Sequence, residues 1–292
     1  MRFEVLVGAR ATGICCTALL AMLLGGAVLA AQMPFREYPD YERNPVPLPP
    51  DYQVPGEWVF ARLMYPPAQR NCYSPGNGVA PCYQYGLNHN WLQGDTSWTI
   101  DYPRADRRIA NFVRRLTRIQ ARPVEQPVNL DDGDDVYNYP FIYAVQAGEW
   151  GLTEKQGKIL RDYLNRGGFF MADDIHGTAE WGEFVERIGY AFPDRQVQDI
   201  PNDDQIFHSV FDLDDRYIIV GSEHLREGSK NGGTVPYWRA IYDDKGRVLV
   251  QAMYNSDTGD SWEFADDPRY PERYSALGIR LGVNYIVYAI TH

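Results

Sequence analysis

The stretch "LTEKQGKILRDYLNRGG" constrains this chain most. Thr153 stands at an N-cap, Gln156 three residues on completes a capping box, and Gly167-Gly168 ends the helix. Short apolar runs lie on both sides, "PFIYAVQ" before it and "FFMAD" after it, and both read as buried strands. A strand, a helix and a second strand so closely spaced pack as parallel neighbours with the helix across one face. The same alternation continues outward. "WVFARLMY" reads as a first strand, and "PRADRRIANFVRRLTRI" as a helix with Pro103 in its first turn and Ile109, Phe112, Val113 and Leu116 on one face. "TAEWGEFVERIG" is a further helix. "RYIIVGS", "YWRAIYDD" and "RVLVQAMY" are further strands, the later ones suited to an antiparallel edge, and "SALGIRLGVNYIVYAITH" is a closing apolar helix. The expected fold is α/β, with a mostly parallel, helix-covered sheet.

Residues 1–30 read as a signal peptide: Arg2 and Arg10 form a positive start, and an apolar stretch from Ile14 to Leu29 ends in small residues. The alternative is an uncleaved membrane anchor, which Gly25 and Gly26 disfavour by interrupting the stretch. Cys15 and Cys16 lack the setting of a lipid-anchor motif. Export to the periplasm or outside the cell is therefore expected, with no transmembrane segment after cleavage. Residues 31–57, rich in Pro and Tyr without helical or strand period, read as an N-terminal arm, and residues 58–292 as a single α/β domain.

Losing Arg2 and Arg10 with Glu4 removes a net single positive charge, taking −11 to −12. A chain this acidic, without a basic stripe, is not built to displace counterions from nucleic acid. Cys72 and Cys82 survive cleavage, and export makes a disulfide the leading reading, one that would stabilise by about 2–3 kcal/mol. A metal pair or two free thiols are the alternatives.

"FFMADD" sends Asp173 and Asp174 to a strand end, with His176 just beyond. In open parallel sheets that edge is where ligands bind. These residues are the catalytic candidates, and with His208 in "IFHSVF" they make a candidate metal set. Mixed carboxylate and imidazole donors suit Zn²⁺, Mn²⁺ or Fe²⁺, and carboxylates alone suit Mg²⁺ or Ca²⁺. The competing expectation is structural: one Asp caps the following helix and the other takes backbone N–H groups in the turn. Glu223 and His224 after "VGS" are further ligand-binding candidates. So are Asp257, Asp260, Trp262 and Glu263 in the acidic stretch "NSDTGDSWEFADDPRYPERY", which reads as a lid or as a solvated loop pinned by its Trp. Ser222 beside Glu223 and His224 makes a poor triad, because adjacent residues rarely face one another, and no Gly-x-Ser-x-Gly follows a strand.

The blocks "YPFIYAVQAGEWGLTEKQGKILRDYLNRGGFFMADD", "DDQIFHSVFDL", "DTGDSWEFADDPRYPERY" and "GVNYIVYAITH", in this order, resemble the bacterial family designated domain of unknown function 4159, from about Trp58 to His292. The strand–Leu-Thr-Glu–helix–Gly-Gly–strand block is also similar to class I glutamine amidotransferase-like and trehalose-utilisation-type domains. That resemblance implies a flavodoxin-like three-layer sandwich. Amidotransferases carry a nucleophilic Cys in a Gly-x-Cys-x-Gly elbow after the strand that corresponds to "FFMA". Here the segment is "ADDIHG", with Asp174 near the position of the Cys, and a carboxylate cannot form the thioester of glutaminase chemistry.

Two functions follow. The first, favoured, is a non-catalytic module that binds a protein or a small-molecule ligand. The second is a hydrolase, metal-assisted through Asp173, Asp174 and His176, acting on a glycan or ester.

Overall fold

The computed structural model describes residues 34–42, 45–68, 71–74, 78–81 and 89–292. The signal-peptide segment and Cys82 lie outside them, and so does the Cys72–Cys82 pairing. From Phe35 onward the chain forms one compact unit. The strands, in chain order, are β1 (Ala61–Met64), β2 (Asn71–Ser74), β3 (Gly78–Pro81), β4 (Gln126–Asn129), β5 (Phe141–Ala144), β6 (Phe169–Ile175), β7 (Gln198–Asp199), β8 (Tyr237–Tyr242) and β9 (Val248–Tyr254). The α-helices are α1 (Arg104–Leu116), α2 (Glu154–Asn165), α3 (Gly177–Ile188), α4 (Thr258–Glu263) and α5 (Glu272–Thr291).

Seven strands form one sheet in the order β4-β1-β5-β6-β9-β8-β7, and β2 with β3 makes a separate hairpin. The first five of that order run parallel, and β8 and β7 add an antiparallel edge. Numbered along the chain, the parallel strands stand in the order 2-1-3-4-5, that of a flavodoxin-like sheet, whose direction of winding reverses between β1 and β5.

The side-chain period of two along the strands divides the core between the two faces. Phe169 and Met171 of β6 join Ile109 and Val113 of α1, Trp262 of α4 and Leu281 of α5. Phe170 and Ala172, their neighbours in sequence, join Leu160 and Leu164 of α2 with Phe184 and Ile188 of α3. The result is three layers, helices over both faces of the sheet. The arm packs on this body: Glu37 pairs with Arg107 at 2.6 Å, Val46 O accepts from the same guanidinium at 2.9 Å, and the Tyr38 ring lies 5.4 Å from that of Trp98.

The α2 signals hold in detail. Thr153 Oγ1 accepts the Gln156 N–H, Gln156 Oε1 accepts the Thr153 N–H, and Gly167 follows the helix at φ +110°. Three expectations need correction. "RYIIVGS" joins no ladder: Ile219 and Val220 are buried against α5 and its surroundings, and their backbone bonds go to Ser256, Asp257 and Tyr270. Leu116 is 46% exposed, whereas Ile109 and Val113 of the expected face are buried, together with Ala105 and Ala110. The acidic stretch is neither a lid nor a solvated loop at its start, since Thr258–Glu263 is a helix with every residue buried. No helix among the described residues is long and apolar enough to cross a membrane.

Candidate functional site

Strand β6 runs through the two adjacent carboxylates and ends at Ile175, and its pairing with β9 shifts register between Ala172 and Ile175. The shift falls at Asp174, which has φ +53°, a left-handed conformation rare for a residue with a Cβ. Strain of this kind recurs around the same edge: Asp101 before α1 is at +61°, Gln146 after β5 at +44°, Asn231 before β8 at +50° and Asn255 after β9 at +63°. Strained residues persist only where surrounding structure holds them, and they gather at functional sites.

Two buried aspartates side by side repel one another, and the fold answers each differently. Asp173 accepts the Tyr143 hydroxyl at 2.9 Å and the backbone N–H groups of Thr258 and Gly259 at 3.2 and 2.8 Å. Burial and the Asp174 charge outweigh these donors and push its carboxyl up to about 6. Asp174 takes Lys230 Nζ on both oxygens, at 3.1 and 3.2 Å, and His176 Nε2 lies 2.7 Å from its Oδ1 at charge-pair distance without hydrogen-bond alignment. Burial alone would raise this carboxyl, but Lys230 and His176 hold it down at about 2. Neither aspartate caps α3. His176 occupies that position without a side-chain bond, and Glu180 takes the His176 N–H at 2.6 Å. The cage is closed by Asn231, which donates to Glu180, and by Asn255, which takes the Gly177 N–H at 3.0 Å.

A second group of carboxyls lies along the same edge. Asp257 caps α4 by accepting the Asp260 N–H at 2.9 Å, and Asp260 accepts the Ser222 N–H at 2.5 Å. Asp101, from the connection between β1 and α1, brings a ligand atom within 4.8 Å of both. Glu42 from the arm and Glu263 from α4 form a second such set with Asp101. Glu42 reaches in from the surface: the residue is exposed, yet its carboxyl accepts the Asp101 N–H at 3.3 Å. Burial, reinforced by neighbouring carboxylates, raises Asp101, Asp257 and Asp260 above the usual range and carries Glu263 to about 8. Basic partners are few: Arg104 Nε is 3.7 Å from Glu263 Oε1. A cleft of about 290 Å³ opens beside this group, lined by Ser222, Glu223, Phe264 and Tyr270. A larger cleft of about 700 Å³ lies at the amino edge by Gly167, Asp204 and Arg247, but Arg247 there is already engaged by Leu164 O and Gly168 O. What distinguishes the carboxyl edge is that its carboxyls, Asp101, Asp173, Asp174, Asp257, Asp260 and Glu263, are buried.

The candidates read from sequence thus sort spatially. Asp173, Asp174 and His176 come together around Lys230. Asp257, Asp260 and Glu263 come together around Asp101. Glu223 and His224 form the short turn after Gly221, and the Glu223 charge acts on Glu42. Trp262 is fully buried, donates to Gly278 O at 2.9 Å and packs 5.3 Å from the Tyr143 ring, so it anchors α4 in the core. His208 stands apart, its ring nitrogens 2.9 Å from Asp212 and from Asn202 O. Glu42, Asp101, Glu180 and Lys230 carried no sequence signal beyond their type. Asp101 lies two residues before Pro103 and reads there as an ordinary turn.

Fold and site together define a doubly wound α/β domain whose carboxyl edge is built from buried carboxyls. The chain belongs to the family of domains of unknown function DUF4159, whose profile matches residues 85–290. No curated protein matches it.

Proposed function

We propose that the protein is an exported binding module on an amidotransferase-like scaffold, taking a positively charged ligand at the carboxyl edge of its sheet. One observation carries this reading: Asp174 stands at the strand-to-helix corner with φ +53°, buried, with both carboxylate oxygens on Lys230. The corner keeps the backbone strain of a nucleophile elbow. Its side chain, however, is a carboxylate neutralised by a fixed cation, which leaves no free nucleophile. The surplus of carboxyls over basic groups around it favours a cationic ligand over an anionic one. Export rests on the character of residues 1–30.

The test has two arms. Purified protein incubated with glutamine, nitrophenyl esters and chromogenic glycosides should give no turnover above buffer. Calorimetry against small cations and anions of matched size should find heat only with the cations. Turnover that disappears in Asp174→Asn would sink this reading.

That outcome would favour the second one, a metal-assisted hydrolase acting on a glycan or ester. Its support is the divergence of the neighbouring pair, Asp173 up to about 6 and Asp174 down to about 2, the pattern of a paired acid and base.

A further inference from the structure

We propose that Asp101, Asp257 and Asp260 bind a calcium ion, with Glu42 and Glu263 flanking it through Asp101. One oxygen from each of the three aspartates lies within 4.8 Å of the others. Ca²⁺–O lengths of about 2.3–2.6 Å span such a separation from opposite sides of one ion. The donor set is oxygen throughout, which selects a hard cation over zinc or copper. The aspartates come from an irregular connection before α1 and from the first turn of a short helix, and this suits the variable coordination of calcium better than the strict octahedron of magnesium.

Acidic residues gathered in space do not alone make a site. The independent observation here is that Asp101 Oδ2 and Glu263 Oε2 are buried with no hydrogen-bond donor, in residues each 2% exposed. A buried polar oxygen without a partner is costly, and native folds leave few. Along the same edge the chain has supplied donors elsewhere: three to Asp173 and the Lys230 ammonium to Asp174. Asp101 Oδ2 and Glu263 Oε2, in the neighbouring group, have none.

The backbone also leaves room. At Gly221, which has φ −62° and no conformational need for glycine, a Cβ would stand 2.6 Å from Asp257 Oδ2 and 2.9 Å from Asp260 Oδ2. At Gly259 it would stand 2.0 Å from Asp101 Oδ2. Both glycines border the carboxyl cradle where a side chain would displace its oxygens.

The inference deepens the binding reading, since the ion would occupy the same edge. The experiment uses the full chain, stripped with chelator and titrated with Tb³⁺ as a luminescent surrogate. Trp262, two positions from Asp260, would sensitise the ion. Sensitised emission that Ca²⁺ displaces is expected, with an unfolding midpoint that rises on adding Ca²⁺ and falls with chelator. Asp257→Asn keeps the helix cap, and should weaken Ca²⁺ at least tenfold. Gly221→Ala keeps every carboxylate and should also weaken it. Asp194→Asn, at a surface carboxylate paired with Arg161 away from this edge, should leave Ca²⁺ affinity unchanged.

No sensitised emission and no Ca²⁺ shift in the wild type would overturn the proposal, leaving a cluster held by shared protons. So would wild-type Ca²⁺ affinity in Asp257→Asn. The two readings fail separately. A missing Ca²⁺ response beside intact binding of organic cations removes only the calcium, and a Ca²⁺ response beside genuine substrate turnover removes only the non-catalytic role.

Discussion

The Asp173 carboxylate accepts the Gly259 N–H at 2.8 Å, so the end of the central strand holds the start of α4 from across the edge. Thr258 N–H on the other oxygen, at 3.2 Å, completes the clasp. Helix N-termini carry unsatisfied donors and a partial positive charge, and a buried carboxylate answers both.

Removing that carboxylate should loosen α4 as a unit. Asp173→Ala leaves the Tyr143 hydroxyl and two backbone N–H groups without their acceptor, at about 1–3 kcal/mol for each buried group so orphaned. Tyr143→Phe removes one donor only and should cost about 1 kcal/mol. Denaturant unfolding of the two variants should show this order. Equal losses would mean that the clasp contributes nothing.

Asp174 should supply an acid-side loss of stability. Its folded carboxyl sits at about 2 against an ordinary 3.8. The folded pKa is depressed, so the contribution is complete above the unfolded value and disappears as pH falls through about 2. The difference corresponds to about 2 kcal/mol. Chemical unfolding at pH 6 and pH 2 should therefore differ less in Asp174→Asn than in the wild type, by roughly that amount. Parallel pH profiles would show that Lys230 and His176 do not favour the carboxylate.

The Arg62–Asp106 pair should behave as a buried unit. Both side chains are fully buried, the guanidinium lies against both carboxylate oxygens at 2.5–3.0 Å, and it also donates to Trp98 O and Ile100 O. Asp106→Leu strands a buried cation and should cost about 3–5 kcal/mol. Arg62→Met with Asp106→Leu should cost much less than the sum of the single changes, which a double-mutant cycle measures.

Gly168→Ala should be more harmful than an exposed Gly-to-Ala change. A Cβ there would fall 2.3–2.5 Å from three ring atoms of Tyr163, whose hydroxyl donates to Tyr139 O at 2.9 Å. Displacing that ring should cost about 1–3 kcal/mol. Gly133, with open space around it, is the comparison, although its φ of +72° adds backbone strain of its own.

How far the sequence carried depended on where the signal lay. Helix α2 was legible because Thr153, Gln156 and Gly167 act within a few residues of one another. Strand β4 was not, since Gln126-Pro127-Val128-Asn129 offers one apolar residue and a proline, and only its pairing with β1 makes it a strand. The run around Ile218–Val220 misled in the opposite sense, because burial without a ladder leaves the same apolar trace. At the site, Asp173 and Asp174 declared themselves by following an apolar run. Lys230 pairs with Asp174 across 56 positions, and no local pattern foretells it. Asp257, Asp260 and Glu263 were legible as ligand-binding candidates, but the stretch that holds them read as a lid or a solvated loop and not as the buried helix it begins with. They are buried in the fold, where they meet Asp101, which lies more than 150 positions away in the chain.

The two strands that close the sheet have a consequence for how these molecules meet in concentrated solution. An open sheet edge can recruit a strand from another copy and so seed aggregation. Here one margin is β4, where Pro127 withholds an N–H, and the other is β7, only two residues long, with Asp199 paired to Arg239. Neither margin offers a continuous row of free backbone groups, so the sheet is guarded against growing sideways into a fibre.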